Sequence, residues 1–448
     1  MTDPGLAAMG YADAVRALTE RGRFGVRLGL GRVRALLRQL GDPQTAVRGA
    51  LIAGTNGKGS VIALAGNALR AAGHHVAETP KPHLVTYRER LVIDGVPIDG
   101  ATFARLAAEV LPLADLIERR HGPPTEFELL TAMLFRWLAA ERVDVALVEV
   151  GLGGRLDATN VWDGGVAAIT NVDLDHMDRL GPTVEAIARE KAAIIKRGDR
   201  AVTGATGSAL EIVRHRARRM RAPLQVAVPA PISRLDRDGL VVDLPRLPEI
   251  RVGLRGRHQA ANVAVADALL DALGEAGLPT ADAQARREGY ATVRWPGRLE
   301  LVTVEGRDVL LDGAHNPAGA AALAEALDDL VPALGRAATP ITLVWATMAD
   351  KDIDGILRAM TRAEALTGAT VIATAVHAVR AMPAIELAAR WRSHAPDVRV
   401  IEEPDPRAAV RRALGDAQGL IVVAGSLYLV GAARALLMDD PRFRDPDP

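Results

Sequence analysis

The sequence predicts an α/β protein with two domains built on parallel sheets. Short apolar runs alternate with longer amphipathic stretches, as strands alternate with crossover helices. A glycine-rich loop lies between one apolar run and a helical stretch, and the alternation restarts at residue 308 after the turn-rich YATVRWPGR of 290–298. Because 448 residues exceed the size at which one core usually keeps growing, we predict a domain over 1–298 and a smaller one over 299–448.

The individual elements follow from apolar runs and from the glycines that end them. In the first domain, a helix from residue 58 to about 72 is ended by Gly73, and a second helix is predicted over 184–195. The predicted strands of this domain are 50–53, 143–150 and 166–171, the last two with the near-continuous apolar pattern of strands buried on both faces. In the second domain, alanine-rich helical stretches separate predicted strands at 308–311, 341–346, 369–373 and 420–424. The terminal PRFRDPDP of 441–448 is predicted to be a loose tail.

The composition argues against several classes of protein. The formal net charge is +0, whereas a nucleic-acid binder relies on an excess of basic residues. No apolar run approaches the roughly 18 residues of a membrane span, and the N-terminus lacks a basic stretch followed by an apolar one. The chain has no cysteine, which excludes disulfides, thiolate metal sites and cysteine nucleophiles. We expect a cytoplasmic, monomeric enzyme that acts on small molecules.

The strongest chemical signal is GTNGKGS, placed between a strand and a helix. Small residues let backbone N–H groups point at phosphate oxygens, the helix N-terminus adds positive potential, and a lysine reaches the β- and γ-phosphates. The spacing differs from the common Walker pattern, and a bare glycine-rich turn is the alternative. We predict a nucleotide site formed by Gly54, Thr55, Asn56, Gly57, Lys58, Gly59 and Ser60.

Lysine is scarce in this arginine-rich chain, which suggests that the remaining lysines are kept where a slim, titratable amine is wanted. Chance retention is the alternative. The five are Lys58, Lys81, Lys191, Lys196 and Lys351. Lys191 lies in REKAAII on a predicted helix, where an exposed lysine is the ordinary interpretation. A lysine with a lowered pKa can instead react with carbon dioxide to give an anionic carbamate.

Polar residues follow two of the predicted strands. Glu149 lies at the carboxyl end of the predicted strand 143–150, and His176 comes shortly after the predicted strand 166–171, in TNVDLDH. The carboxyl ends of parallel strands are where ligands of such sheets bind, and a hard carboxylate suits Mg²⁺. A helix-capping acid and a structural histidine are the alternatives. We favour a site role for both residues.

Seven segments of the chain stand in a characteristic order: GTNGKGS, EVGLGGRLDATN, REKAAIIKRG, GRHQAANVAVA, PGRLE, DGAHNP and GSLY. This set resembles the folylpolyglutamate synthase and dihydrofolate synthase family, a branch of the Mur-type ATP-dependent amide ligases. The resemblance extends from about Arg27 to the last helix. It implies a P-loop-containing N-terminal ATPase domain with a parallel sheet, a smaller Rossmann-like C-terminal α/β domain, and ATP between the two.

The resemblance also implies roles for individual residues. Lys58 would hold phosphates, Glu149 would bind one Mg²⁺, and His176 with a carbamylated Lys191 would hold a second. For the nucleotide and the reacting carboxylate, the implied residues are Asn262 by the adenine, Arg298 by a phosphate, and Asp312 with His315 from DGAHNP. The implied pterin-binding wall comprises Leu28, Gly29, Phe127, Asp157 and Ala158, and Ser426 of GSLY would bind the incoming amino acid.

Two positions depart from the family pattern. The segment 79–83 puts Lys81 where a metal-binding serine is usual, and an ammonium cannot ligate a cation. We therefore predict that Lys81 holds ATP or the acyl phosphate directly and weakens the first metal. The alternative is an outward Lys81 that pairs with a surface acid. Asn171 replaces another usual serine ahead of Asp175 and His176.

The leading interpretation is ligation of L-glutamate to a pteroate or folate carboxylate, with ATP and Mg²⁺ as cofactors. The resemblance implies that ATP phosphorylates the carboxylate and that an amine attacks the acyl phosphate, releasing ADP and phosphate. One alternative is the same chemistry on a non-folate acid, which the change at Lys81 favours. A nucleotide-driven switch without ligase activity is the other, although DGAHNP and REKAAII argue against it.

Overall fold

The computed structural model describes residues 9–22, 27–335, 339–378, 380–438, 440 and 444–445. The chain forms two compact units. The first comprises the described parts of Met1–Pro229, Asn262–Gly289 and Arg442–Pro448, and the second those of Ala230–Ala261 and Tyr290–Pro441. Each unit draws on more than one stretch of chain, and a division at residue 298 stays a prediction. The predicted tail of 441–448 lies outside the described residues except for 444 and 445.

An eight-stranded sheet forms the centre of the first unit. Its strands are β1 (Gly49–Ala53), β2 (Val76–Thr79), β3 (Val92–Ile93), β4 (Val96–Pro97), β5 (Val145–Glu149), β6 (Gly165–Ile169), β7 (Arg200–Thr203) and β8 (Leu224–Val226). Their order is β4-β3-β2-β5-β1-β6-β7-β8. Neighbours from β2 to β8 in this order are parallel, whereas β3 pairs antiparallel with β2 and β4. Strands β1 and β5 are buried throughout, as parallel strands inside an α/β unit usually are.

Each helix of the first unit buries part of its surface. They are α1 (Tyr11–Gly22), α2 (Gly31–Gln39), α3 (Lys58–Ala71), α4 (Gly100–His121), α5 (Glu126–Glu141), α6 (Met177–Leu180), α7 (Val184–Ala192), α8 (Gly207–Met220) and, for most of their length, α9 (Gln259–Glu275) and α10 (Ala283–Thr292). Thr125 begins α5 with a capping box completed by Glu128, which satisfies the first free N–H groups of the helix. Among the described residues, no helix combines the length and the apolarity that crossing a bilayer requires.

The parallel register brings the carboxyl ends of β5, β1 and β6 to one edge of the sheet. Ile52 of β1 is paired with Glu149 of β5, and Ala53 is paired with Ile169 of β6. The three segments that leave these strands are therefore neighbours. They contain the glycine-rich loop, the acid at position 149 and the TNVDLDH segment of the sequence analysis.

The second unit contains a six-stranded and a three-stranded sheet. The large sheet comprises β12 (Glu300–Val304), β13 (Arg307–Asp312), β14 (Thr342–Trp345), β15 (Thr370–Ala373), β16 (Arg399–Glu402) and β17 (Ile421–Ala424), in the order β12-β13-β17-β14-β15-β16. All its pairs are parallel except β12 with β13. The small antiparallel sheet comprises β9 (Ile232–Asp236), β10 (Gly239–Leu244) and β11 (Leu247–Val252). The helices are α11 (Pro317–Ala333), α12 (Ile353–Met360), α13 (Ala384–His394), α14 (Pro406–Asp416) and α15 (Leu427–Leu437).

The predicted strands are all confirmed to within two residues at either end, and the predicted helix at 58–72 is α3. The predicted helix at 184–195 is too long. It ends at Ala192, because the N–H groups of Ile194 and Ile195 turn back to the carbonyls three residues earlier. The small antiparallel sheet was not predicted, because its strands mix buried, half-buried and exposed residues and present no long apolar run.

Candidate active site

The phosphate loop, residues 54–57, joins β1 to α3 and depends on its glycines. Gly57 has a φ of 82°, a left-handed conformation that glycine adopts without strain, and a Cβ there would overlap Oδ1 of Asn262. A Cβ on Gly54 would overlap Oγ1 of Thr170. Gly57 is also the N-cap of α3, which begins at Lys58. Since Gly57 has no side chain to occupy the first N–H groups of α3, this helix end can attract an anion.

Hydrogen bonds from the segment after β6 hold the phosphate loop in place. The N–H groups of Thr55 and Asn56 donate to the main-chain and side-chain carbonyls of Asn171, at 3.1 and 2.8 Å. The hydroxyl of Thr170 donates to the carbonyl of Asn56 at 2.5 Å, and that of Thr55 donates to the carbonyl of Asp173 at 3.1 Å. Asn171, one of the two departures from the family pattern, therefore orders the loop.

Two lysines converge on one carbonyl of this loop. The ammonium of Lys58 donates to the carbonyls of Gly54 and Thr55, at 3.0 and 3.1 Å. The ammonium of Lys191 donates to the same Gly54 carbonyl at 2.9 Å. Lys191 is buried, so the ordinary interpretation of a surface lysine is wrong. Burial, together with the nearby Lys58, lowers the pKa of Lys191 to about 7.

Lys81 is directed toward Glu149, at the end of β5. Its N–H donates to Oε2 of the Glu149 carboxylate at 2.9 Å, and its ammonium donates to the Glu149 carbonyl. The ammonium also lies 4.9 Å from the centroid of the Phe127 ring, which is a cation–π distance. Burial lowers the pKa of Lys81 to about 8, although Asp157 and Glu149 act in the opposite direction. Lys81 thus points into the site and does not pair with a surface acid.

His176 lies at the rim of the same edge. It has a left-handed φ of 49° and precedes α6 as its N-cap. Its Nε2 is 3.9 Å from Oδ1 of Asp175, and its side chain is 46% exposed. Asp175 in turn is close enough to raise the pKa of Lys191 against the effect of burial. Asp175 is therefore close to both His176 and Lys191, which places these two residues in the same part of the site.

The donor set at this edge suits Mg²⁺ that arrives with phosphates. Among the described residues, no group of three or more His, Cys, Asp or Glu side chains could hold a metal. Glu149, however, offers one buried carboxylate beside the phosphate loop, 3.9 Å from the Lys58 ammonium. Mg²⁺ is commonly bound by one or two carboxylates plus phosphates and water. Glu149 fits such a role. The described residues around it do not form a metal site built from protein side chains alone.

The predicted pterin-binding wall lies next to these groups. A Cβ on Gly151 would come within 2.8 Å of the Phe127 ring and 3.1 Å of the Asp157 carboxylate, which places these two residues together. Asp157 is buried, and its carboxylate accepts hydrogen bonds from the N–H groups of Leu152 and Thr159 at 2.8 and 3.0 Å. Asp157 therefore shapes the loop that carries the buried Ala158.

In the second unit, Arg298, Asp312 and His315 come together at the carboxyl end of β13. Asp312 accepts from the N–H groups of Leu299 and Ala314 at 2.8 and 2.9 Å. Burial raises the pKa of Asp312, while Arg298 acts in the opposite direction. Nδ1 of His315 lies 2.7 Å from the Gly313 carbonyl. Since a carbonyl only accepts, Nδ1 carries the proton and Nε2 is the acceptor of the neutral ring.

Ser426 follows β17, whose last residue Ala424 is paired with Asp312. It is buried and its hydroxyl accepts from the N–H of Tyr428 at 3.2 Å, which caps α15. The predicted ligands Asp312 and Ser426 therefore stand at the same sheet edge of the second unit. Asn262 belongs to the first unit, beside Gly57.

Two features of the site escaped the sequence analysis. Thr170 was noted only as part of TNVDLDH, yet its hydroxyl holds the phosphate loop. Arg32 forms a largely buried ion pair with Glu128, 96 residues further along the chain. No local pattern marks such a pair, although the apolar surroundings of both charges are a signal that a charged residue there needs a partner.

Comparisons with known proteins agree with this geometry. The model of the Mur ligase middle domain matches residues 52–270, and that of the Mur ligase glutamate ligase domain matches residues 297–427. A dihydrofolate synthase/folylpolyglutamate synthase of Mycobacterium tuberculosis is 37% identical, over 92% of this chain and 91% of its own length. The Bacillus subtilis protein of the same name is 33% identical, over 95% of this chain and 99% of its own length.

Among solved structures, this chain is similar to Mycobacterium tuberculosis folylpolyglutamate synthase complexed with ADP and AMPPCP. The TM-score is 0.83 at 34% sequence identity, and the match covers 96% of this chain and all of that one. Identity above 30% over nearly the full length of both partners shows common family membership as well as a common fold. The chain belongs to the folylpolyglutamate synthase/dihydrofolate synthase family of Mur-type ligases.

Proposed function

We propose that this enzyme joins L-glutamate to the carboxylate of dihydropteroate, of a folate, or of both, with consumption of ATP. The observation that carries the proposal is the gathering of Lys58, Lys81 and Lys191 around Gly54 and Glu149, at the edge where three parallel strands end. Such a concentration of ammonium groups beside a phosphate loop suits a triphosphate. We infer the two other substrates, a folate-type acid and glutamate, from the names of the relatives. We also propose that the enzyme is a cytoplasmic monomer and that it binds neither nucleic acid nor membranes.

The reaction proceeds through an acyl phosphate in this proposal. An oxygen of the acid's carboxylate attacks the γ-phosphorus of ATP, and the bond to ADP breaks. The amine of glutamate then attacks the acyl carbon, phosphate leaves, and the amine loses a proton. Phosphoryl transfer depends on positioning and charge neutralisation. Lys58, with its ammonium anchored on the phosphate loop, is assigned to the transferring phosphate.

The remaining predicted residues keep their assigned roles in this proposal. Arg298, Asp312 and His315 serve ATP and the reacting carboxylate, Asn262 the adenine side, and Ser426 the incoming glutamate. Glu149 would hold one Mg²⁺, and His176 with a carbamylated Lys191 would hold another. Bound Mg²⁺ would neutralise charge on the phosphates. Leu28, Gly29, Phe127, Asp157 and Ala158 form the wall for the acid.

A single assay tests the function and separates it from its alternatives. ADP release is measured with dihydropteroate, with folates, and with no acid, each in the presence and absence of L-glutamate. We expect ADP release that requires both a folate-type acid and glutamate. Release that needs neither would identify a nucleotide-driven switch. Inactivity with every folate-type acid, in protein that still binds ATP, would favour a non-folate acid.

Lys58→Ala is expected to lower kcat by about two to three orders of magnitude, as removal of preorganised charge does. The folded state should persist, because the Lys58 ammonium donates to two loop carbonyls and lies 3.9 Å from the Glu149 carboxylate, outside the hydrophobic core. The measurement is steady-state ADP release beside a thermal unfolding curve. Lys58→Arg is the control that keeps the charge. Near-normal turnover of the alanine variant would contradict the assignment of the phosphate loop.

Lys191 is expected to carry a carbamate. Its pKa of about 7 leaves a large neutral fraction at neutral pH, and the neutral amine is the form that reacts with carbon dioxide. Labelling by ¹³C carbon dioxide, followed by NMR, should therefore increase as the pH rises through 7. Lys191→Ala should lose both the label and the activity, and small carboxylic acids should partly restore the activity. A free ammonium at Lys191 in the ATP-bound enzyme would contradict this prediction.

Lys81→Ser is expected to change the Mg²⁺ dependence of the reaction. The Lys81 ammonium lies on the Glu149 carbonyl, and a cation there repels Mg²⁺ by about 2–4 kcal/mol at an intermediate effective dielectric. The serine variant should therefore reach half-maximal activity at a lower Mg²⁺ concentration. Lys196→Ser, at a half-buried lysine bonded to Asn160, is the control for loss of a lysine outside the site. An unchanged Mg²⁺ titration together with unchanged activity would show that Lys81 takes no part.

A further inference from the structure

Arg32 and Glu128 form an ion pair to which the proposed reaction assigns no role. Nε of Arg32 lies 3.0 and 2.9 Å from the two oxygens of the Glu128 carboxylate. The side chains are only 15% and 3% exposed. Removing two charges from water is unfavourable, and replacing such a pair by apolar residues of similar volume is often neutral for stability. Stability alone is therefore a weak explanation for this pair.

Glu128 determines how α5 begins. Its Oε2 accepts hydrogen bonds from the N–H and the hydroxyl of Thr125, at 2.8 and 3.1 Å, and its own N–H donates to that hydroxyl oxygen at 3.3 Å. These bonds close the capping box and orient the first helical turn. Phe127 lies on that turn, directly before Glu128. The carboxylate that binds Arg32 thus also fixes the helical turn that carries Phe127.

Arg32 holds the loop that precedes α2. Its Nη2 donates to the carbonyl of Arg27 at 2.7 Å, so the Arg32 side chain closes the loop of residues 27–32 by bonding back to its first residue. Leu28 is 40% exposed, and Gly29 has a φ of 145° with no atom within 4 Å of a Cβ built there. The loop therefore presents an apolar side chain and an open backbone. Its position depends on the guanidinium.

We propose that the Arg32–Glu128 pair is a positioning device, which sets the loop of residues 27–30 against the Phe127 ring and so governs the binding of the acid substrate. Phe127 borders the reacting edge, because Lys81 lies over its ring while donating to the Glu149 carbonyl. A flat aromatic acid fits an aromatic ring and an exposed leucine, with its carboxylate toward the lysines. The choice of a pteroate as that acid rests on the proposed function.

The test compares two double variants of the full-length enzyme. Arg32→Met with Glu128→Gln removes both charges, keeps similar volumes, and leaves an amide oxygen for the capping box. Arg136→Met with Glu109→Gln makes the same chemical change at a pair that joins α5 to α4, at 2.7 Å and with side chains 34% and 33% exposed. KM and kcat are measured for dihydropteroate and for ATP. Dihydropteroate binding without ATP and the thermal unfolding midpoint are measured as well.

The first double variant should raise KM and Kd for dihydropteroate about tenfold or more, as displaced binding groups do. Its KM for ATP should stay within about twofold of wild type, because ATP contacts are untouched. The single variant Arg32→Lys should also show a raised KM for dihydropteroate, since one ammonium cannot replace a guanidinium that holds Glu128 and Arg27 together. The Arg136 and Glu109 variant should match wild type in all constants.

Three outcomes would overturn this inference. An unchanged KM and Kd for dihydropteroate in the first double variant would show that the pair does not position the acid site. A parallel rise of both KM values together with a lower unfolding midpoint would show a purely structural role. Wild-type protein that neither binds nor ligates a pteroate would overturn the proposed function, and this inference with it.

Discussion

Three adjacent parallel strands that end at one edge of a sheet determine the rest of this site. The register of β5, β1 and β6 pairs Ile52 with Glu149 and Ala53 with Ile169. A slip of one residue would turn the side chains of a strand to the opposite face, and β1 and β5 are buried throughout. The hydrophobic core therefore fixes where Glu149, the phosphate loop and the Thr170–Asn171 segment meet.

Positive charge concentrated at that edge is unfavourable for the protein alone and favourable for an anionic ligand. Both ammonium groups are shielded from solvent, and this burial lowers the pKa of Lys81 and of Lys191. Main-chain carbonyls of Gly54 and Glu149 accept their hydrogen bonds, and Glu149 supplies one buried carboxylate. Preorganised charge of this kind stabilises transferring phosphate because it needs no reorganisation during the reaction.

In the second unit, too, paired parallel strands place polar residues at one edge of a sheet. Strands β13 and β17 are paired so that Asp312 stands beside Ala424, two residues before Ser426. Backbone N–H groups hold the Asp312 carboxylate, and the Gly313 carbonyl sets the tautomer of His315. A Cβ at Gly313 would overlap the guanidinium of Arg298, so the glycine of DGAHNP makes room for the arginine. Each unit thus presents its polar residues where parallel strands end.

The sequence by itself determined the class of fold, the strands of both large sheets that lie in apolar runs, the phosphate loop and the family. These features are local: a glycine-rich turn, an apolar run or an acid at a strand end is written in consecutive residues. Tertiary structure alone decided that Lys191 is buried and that Lys81 points at Glu149. It also decided the pairing of Arg32 with Glu128. Such contacts join segments far apart in the chain, and they leave no periodic pattern because each depends on how whole elements pack.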